Sequence, residues 1–275
     1  MASEAPWFSL VVPAFNERDR IGPSLQEMDA YLASQSYSAE IVVVDDGSSD
    51  GTVGLVNQIA KELATPLRLL RYEQNCGKGR ALIVGMTASR GDRILFTDAD
   101  LSTPIEETAP LLAALDSGAD VAIGSRKGEG SEIRIHQPWY REQLGKVFTF
   151  IVRLLVAQVT DVTCGFKAFR GEAGRDLFAR LRIDDWSFDA ELLMLTRQRG
   201  YELAEVAVSW EDRPGTKVSL LRDGIGSLIG LFRIRWNAAQ GIYSSPRSLE
   251  TSIEEWRRGE KVSGPGSTPP QEKSG

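Results

Sequence analysis

Five short apolar runs, separated by segments of helical periodicity, constrain this chain most. They are Phe8-Ser9-Leu10-Val11-Val12, Ile41-Val42-Val43-Val44, Leu67-Arg68-Leu69-Leu70, Arg93-Ile94-Leu95-Phe96 and Asp120-Val121-Ala122-Ile123. Each is too short for a helix, and most are rich in residues that suit a pleated surface. Helical patterns lie between them, near 21–33, 50–63 and 79–88, and again after Pro104, where Leu111, Leu112 and Leu115 recur at helical spacing. Continuous apolar strands are buried on both faces. The alternation therefore predicts an α/β fold, a Rossmann-like and mostly parallel sheet with helices on both faces. Ligands in such sheets bind at the carboxyl ends of the strands.

The second half is less regular. Helices are expected over 143–159, 189–199 and 220–239, and a strand within 201–210. One catalytic domain is expected over 7–243. Residues 244–275 form a polar tail rich in Ser, Glu, Gly and Pro, expected to be disordered beyond Arg258.

Composition narrows the function. Lys and Arg total 32 against 38 Asp and Glu, a net charge of −6, which disfavours a general nucleic-acid binder. The chain has one histidine, His136, and two cysteines, Cys76 and Cys164. That inventory disfavours a structural zinc site, which takes four such ligands, and a disulfide scaffold. No apolar stretch is long enough to span a bilayer, and the first residues lack a secretory pattern. A cytoplasmic protein is expected, at most peripheral on the cytoplasmic face of a membrane.

Three of the runs end in polar or acidic residues. The first continues into Pro13-Ala14-Phe15-Asn16-Glu17, the second into Asp45-Asp46-Gly47-Ser48-Ser49-Asp50, and the fourth into Thr97-Asp98-Ala99-Asp100. Each set falls where a ligand would sit. Asp98 and Asp100, one residue apart, point the same way if the segment is extended. Their hard oxygens suit Mg²⁺ or Mn²⁺. Asp46 to Asp50 does not open a calcium loop, because the twelfth position is Asn57 and not Glu. Neither a Walker A string nor a Gly-x-Gly-x-x-Gly after the first strand is present.

Together these strings resemble the inverting, family 2 nucleotide-sugar glycosyltransferases of GT-A fold, over roughly Ser9 to Trp210. The resemblance implies a nucleotide-sugar donor held by Pro13, Phe15, Asn16, Glu17, Asp45, Asp46, Gly77, Lys78, Asp98 and Ala99. It implies that Asp100 binds the metal directly, that Asp98 contacts the ribose or the metal shell, and that the first acid of Asp45-Asp46 accepts a hydrogen bond from the base. Gly124-Ser125-Arg126, Arg141, the Asp161–Arg170 segment and Pro214-Gly215-Thr216-Lys217 resemble the polyprenyl-phosphate hexose synthases, the dolichyl-phosphate glucose and mannose synthase group. That likeness implies an isoprenoid phosphate acceptor bound by Arg126, Arg141 and Lys217. It implies transfer of glucose from UDP-glucose with inversion.

Other readings stay open. The donor is GDP-mannose in one. In another the acceptor is a soluble hydroxyl and Asp189 is the base; with a phosphate acceptor, Asp189 instead positions Lys217 or an arginine. A non-catalytic nucleotide-sugar-binding module is disfavoured by the intact Asp98-Ala99-Asp100. Cys164 is expected to be a packing residue. The apolar faces near 148–156 and 220–236 are expected either to touch a bilayer surface or to pack on the core, and recruitment by a membrane protein is open.

Overall fold

The computed structural model describes residues 5–126, 133–135, 159–211, 220–248 and 252–262. The expected helix over 143–159 lies almost wholly outside them, as do His136, Arg141 and Lys217. Eleven strands are described: β1 Phe8–Ala14, β2 Ala39–Asp46, β3 Leu67–Tyr72, β4 Arg93–Phe96, β5 Val121–Ser125, β6 Ile133–Ile135, β7 Lys167–Arg170, β8 Leu203–Ala207, β9 Trp210–Glu211, β10 Glu254–Arg257 and β11 Glu260–Lys261. The α-helices are α1 Arg18–Ala33, α2 Thr52–Ile59, α3 Lys78–Ala88, α4 Thr108–Asp116, α5 Gly171–Arg180, α6 Phe188–Gln198 and α7 Leu220–Ala239.

Nine strands form one sheet in the order β11-β10-β3-β2-β1-β4-β7-β5-β8. β1 pairs in parallel with β2 and β4, β2 with β3, and β5 with β8. β7 enters antiparallel between β4 and β5. The expected α/β architecture is present, and the strand alternation explains its two layers. Val11, Val42, Val44, Ile94 and Phe96 point into a core shared with α3, α5 and α6. Leu10, Val12, Ile41, Val43 and Leu95 point the other way, onto α1 and α4. Each such side chain, fully buried, contributes about 1.5–3 kcal/mol. At Gly85 helix α3 lies so close to the sheet that a Cβ would come within 2.5 Å of Val11 Cγ1. This contact seats the second half of α3 on β1 and β2.

Residues 254–261, read from composition as polar tail, instead extend the sheet. β10 pairs antiparallel with β3, and β11 pairs with β10, past Arg258. Arg68 Nε donates to Glu255 Oε1 at 2.8 Å, and Trp256 packs on the core. An uncovered β3 would present a row of unpaired backbone groups, and the hairpin satisfies them. Helix α2 is shorter than expected. It stops at Ile59, and the chain turns through Glu62, whose N–H bonds the Ile59 carbonyl.

Candidate active site

The β1–α1 and β2–α2 loops are laced together. Asn16, at φ 52°, donates its N–H to Ser48 Oγ at 2.8 Å, and its Oδ1 accepts from Ser49 N at 2.9 Å. Asparagine tolerates this left-handed backbone better than most residues. Glu17 N donates to Thr52 Oγ1 at 2.9 Å and Arg18 N to Asp50 Oδ2 at 3.1 Å, so the second loop caps the orphan donors of α1. Asp50 also accepts from Thr52 N at 2.9 Å, at the start of α2. Pro13 and Phe15 are half-buried beside this junction.

Asp45 and Asp46 do different work. Asp45 is fully buried, and its Oδ2 accepts from Ser48 N at 3.1 Å with Arg71 Nε at 3.5 Å. Its Oδ1 is buried with no hydrogen-bond partner, a geometry that fits a ring N–H donor. Burial pushes this carboxyl's pKa up against the opposing pull of Ser48 and Arg71. The Asp46 carboxylate is instead taken up by Asn75 Nδ2 at 2.8 Å, Cys76 N at 2.7 Å and Gly77 N at 2.9 Å. It shapes the loop before α3. Gly77, at φ 103°, has no room for a side chain, because a Cβ would lie 2.5 Å from the Asp184 carbonyl.

Asp98 to Leu101 forms a turn, not the extended segment expected. Leu101 N donates to the Asp98 carbonyl at 3.2 Å, and Leu101 takes φ 50° to bury its side chain. Thr97, Ala99 and Leu101 are buried while Asp98 and Asp100 are half-buried, so both carboxylates stay partly accessible. Ala99 thus offers a ligand only its backbone. Asp98 pairs with Lys78. Asp100 Oδ1 accepts from Ser102 N and Oγ at 3.1 and 2.9 Å, and its Oδ2 lies 3.6 Å from Arg20 Nη1. Burial alone would lower the Lys78 pKa, but Asp98, Asp189 and Asp100 together hold it above its ordinary value. Gly165 closes over this turn, where a Cβ would overlap Asp98 Oδ2 at 2.1 Å.

The far side of the site is built from buried ion pairs. Lys167 Nζ, fully buried, donates to Asp189 Oδ1 and to the Cys164 carbonyl, each at 2.6 Å. Burial raises the Asp189 pKa, against the opposing charges of Lys167 and Lys78. Asp189 thus meets Lys167, a partner not expected from the sequence; Lys217, which was expected, lies outside the described residues. Arg126, just past β5, donates through Nε and Nη2 to the two oxygens of Asp161 at 2.7 and 2.8 Å. Its guanidinium lies over the Trp210 ring. Cys164 is buried, and burial pushes its thiol up to about 11, which suits packing and not nucleophilic attack.

Several site residues were not singled out from sequence. Arg20 had a local signal, since it stands three residues after Glu17 on one helix and bonds it at 2.8 Å. Lys167 had a weaker one, a cation within an apolar strand. Asp161 opens the Asp161–Arg170 segment already read as resembling the hexose synthases, without a role of its own, and Trp186 had no signal. Among the described residues no group of three or more His, Cys, Asp or Glu could hold a metal by itself. Two partly accessible carboxylates still fit a Mg²⁺-like ion, which takes one or two carboxylates and completes its shell with substrate phosphates and water.

The family described as Glycosyl transferase family 2 matches residues 9–178, which carry both strand-end loops, the Asp98–Asp100 turn and Lys167. The chain belongs to glycosyltransferase family 2. It is 34% identical to a dolichyl-phosphate beta-glucosyltransferase of Dictyostelium discoideum, over 86% of this chain and 76% of that protein. The human dolichyl-phosphate beta-glucosyltransferase is 32% identical over 76% of this chain and 69% of that protein. The fold of this family 2 chain resembles solved structures. One is glucosyl-3-phosphoglycerate synthase from Mycobacterium tuberculosis in complex with Mn²⁺, UDP-glucose and phosphoglyceric acid. Its TM-score is 0.60 and identity 20%, covering 88% of this chain and 81% of that one. Another is mannosyl-3-phosphoglycerate synthase from Rubrobacter xylanophilus, with TM-score 0.62, identity 20% and coverage of 89% and 78%.

Proposed function

We propose that this glycosyltransferase moves glucose from UDP-glucose to dolichyl phosphate or a similar isoprenoid phosphate, with inversion. The relatives' names support the acceptor and sugar. The observation that carries the reading is the state of Asp189. It already pairs with buried Lys167, so it is poorly placed to take a proton from a hydroxyl. A phosphate acceptor needs no base, only positioning.

In the proposed step an acceptor phosphate oxygen attacks the anomeric carbon in line. The carbon–oxygen bond to UDP breaks, and UDP leaves with the bonding pair. An α-linked donor thus gives a β-linked product. Asp45 binds the base through its unpartnered oxygen, and Lys78 offers a cation beside the diphosphate. Asp98 and Asp100 would hold the divalent ion, Mg²⁺ or Mn²⁺, which supplies charge neutralisation of the leaving group. Arg126, steadied by Asp161, faces the acceptor phosphate, with Arg141 and Lys217 as its proposed companions. Fixed charges of this kind act without reorganising during the reaction.

No helix among the described residues is long and apolar enough to cross a membrane. Leu231 and Ile234 of α7 pack inward, whereas Phe232 is 75% and Trp236 67% exposed, flanked by Arg233 and Arg235. This outward aromatic stripe with basic flanks supports peripheral contact with a lipid surface.

The test is a donor panel with Mn²⁺ and a short polyprenyl phosphate, scored for lipid-linked sugar. UDP-glucose turnover with GDP-mannose inert is the expected result. Donor hydrolysis without any lipid product moves the acceptor to a soluble hydroxyl.

A further inference from the structure

Two tryptophans flank the charged cluster, each against one of its cations. Trp210 faces Arg126, whose Cζ lies 5.5 Å from the ring centroid. Trp186 faces Lys78, whose Nζ lies 5.2 Å from the ring centroid. Lys78 pairs with Asp98, so Trp186 stands on the side of the Asp98–Asp100 turn and Trp210 on the side of β5. Trp186 is nevertheless 43% exposed. An indole left half in water next to a polar site is a surface that a ligand can cover.

The loop that carries this ring is clamped. Arg182 N and Ile183 N both donate to Glu191 Oε2 at 2.9 Å. Asp184 takes two hydrogen bonds from Arg80 and two from Arg247, between 2.8 and 3.0 Å. Ser187 N donates to Asp185 Oδ1 at 2.7 Å. On one side Gly79 lies so close that a Cβ would approach the Ile183 carbonyl at 2.7 Å. On the other, a Cβ at Gly230 of α7 would lie 2.4 Å from Ser187 Oγ. The ring is thus presented on a backbone held between the Lys78 loop and α7. A surface fixed in advance costs a ligand little ordering entropy.

We propose that Trp186 is a donor-sugar contact: its open face stacks on the C–H face of the transferred hexose. Glucopyranose suits this contact because its hydroxyls are equatorial and its faces present C–H groups. In the reading above Lys78 and Asp98 lie beside the diphosphate, and the proposal sets the ring on its hexose side and not on its ribose side. The isoprenoid leaves from the Arg126 side. The inference rests on the UDP-glucose reading above.

The experiment measures binding of UDP and of UDP-glucose, each with Mn²⁺, to the full chain and to Trp186→Ala and Trp186→Phe. Trp186→Ala is expected to weaken UDP-glucose about tenfold while UDP changes by less than about twofold, and Trp186→Phe to recover most of the loss. UDP binding also reports that the variant is folded. Equal weakening of both ligands would reduce Trp186 to a prop for Lys78 and overturn the inference. Unchanged binding of both, with a raised KM for the lipid, would move the ring to the acceptor and overturn it too. Wild-type transfer to polyprenyl phosphate is assayed in parallel. Its absence, beside a retained UDP-against-UDP-glucose contrast in the variants, would sink the acceptor reading and sustain this one. A wild-type chain that binds no UDP-glucose overturns both.

Discussion

The two sides of the site are held by different kinds of bond. On the side proposed to hold the donor, loops after β1, β2 and β3 tie themselves together through short side chains and backbone N–H groups, as Asn16 does with Ser48 and Ser49 and Asp46 with Cys76 and Gly77. On the side proposed to hold the acceptor, long charged side chains pair with each other, as Lys167 does with Asp189 and Arg126 with Asp161. Both sides join segments about equally far apart in sequence, 30 to 33 residues for these loop contacts against 22 for Lys167–Asp189 and 35 for Arg126–Asp161. What differs is the partner: side-chain oxygens on backbone N–H groups in the loops, paired ionised side chains around Lys167 and Arg126. Asp98 and Asp100 stay half-exposed beside Lys78 and Arg20, whereas Asp161 and Asp189 are buried against their cations.

The contrast can be broken where each side is most exposed to loss. Asp100→Ala should have the largest effect. It removes a partly accessible carboxylate and should cut kcat by about 10²–10³-fold, the scale of losing one group that stabilises transition-state charge. Steady-state kinetics across Mn²⁺ concentrations check this, and a melting temperature close to wild type is expected beside it.

Lys167→Ala should act on stability. It strands Asp189 in a buried site and should cost about 3–5 kcal/mol, readable as a lower urea midpoint. Asp189→Asn keeps the shape and sharpens the comparison through chemistry. With a phosphate acceptor it should lower kcat by less than about tenfold, whereas a catalytic base would cost about 10²–10⁴-fold.

Asp184 gives a smaller, pH-dependent test. Burial would raise its carboxyl pKa, but Arg80 and Arg247 more than offset this and hold it below the ordinary value. Because the folded pKa is depressed, its contribution is complete above the unfolded value, near 3.9, and is lost as pH falls through the folded one. Asp184→Asn should therefore cost about 1–3 kcal/mol at neutral pH and flatten the acid limb of a stability–pH profile. The smallest effect is expected at the far edge of the sheet. Glu255→Gln should leave kcat/KM unchanged and lower stability by about 1 kcal/mol or less.

The strands were readable beforehand because burial on both faces forces continuous apolar runs such as Ile41 to Val44. The carboxylates Asp98 and Asp100 were readable because their position depends only on where β4 ends. The backbone between them was misjudged, since the turn at Leu101 depends on a core pocket that no local pattern announces. That Asp46 sits at a strand end was readable, but not that Asn75, Cys76 and Gly77 donate to its carboxylate.

The sequence by itself therefore determined the layered sheet, the strand-end placement of the loops proposed to hold the donor and the acidic pair beneath them. All of these follow from short-range periodicity. Tertiary structure alone decided which charge meets which. Lys167 finds Asp189 across 22 residues, Arg126 finds Asp161 across 35, and Arg68 finds Glu255 across 187. It also turned a polar tail into sheet-edge strands and set Trp186 beside Lys78. The physical reason is that backbone preference acts over a few residues, whereas ion pairs, edge pairing and aromatic contacts depend on distance in space, which the chain fixes only when its core closes.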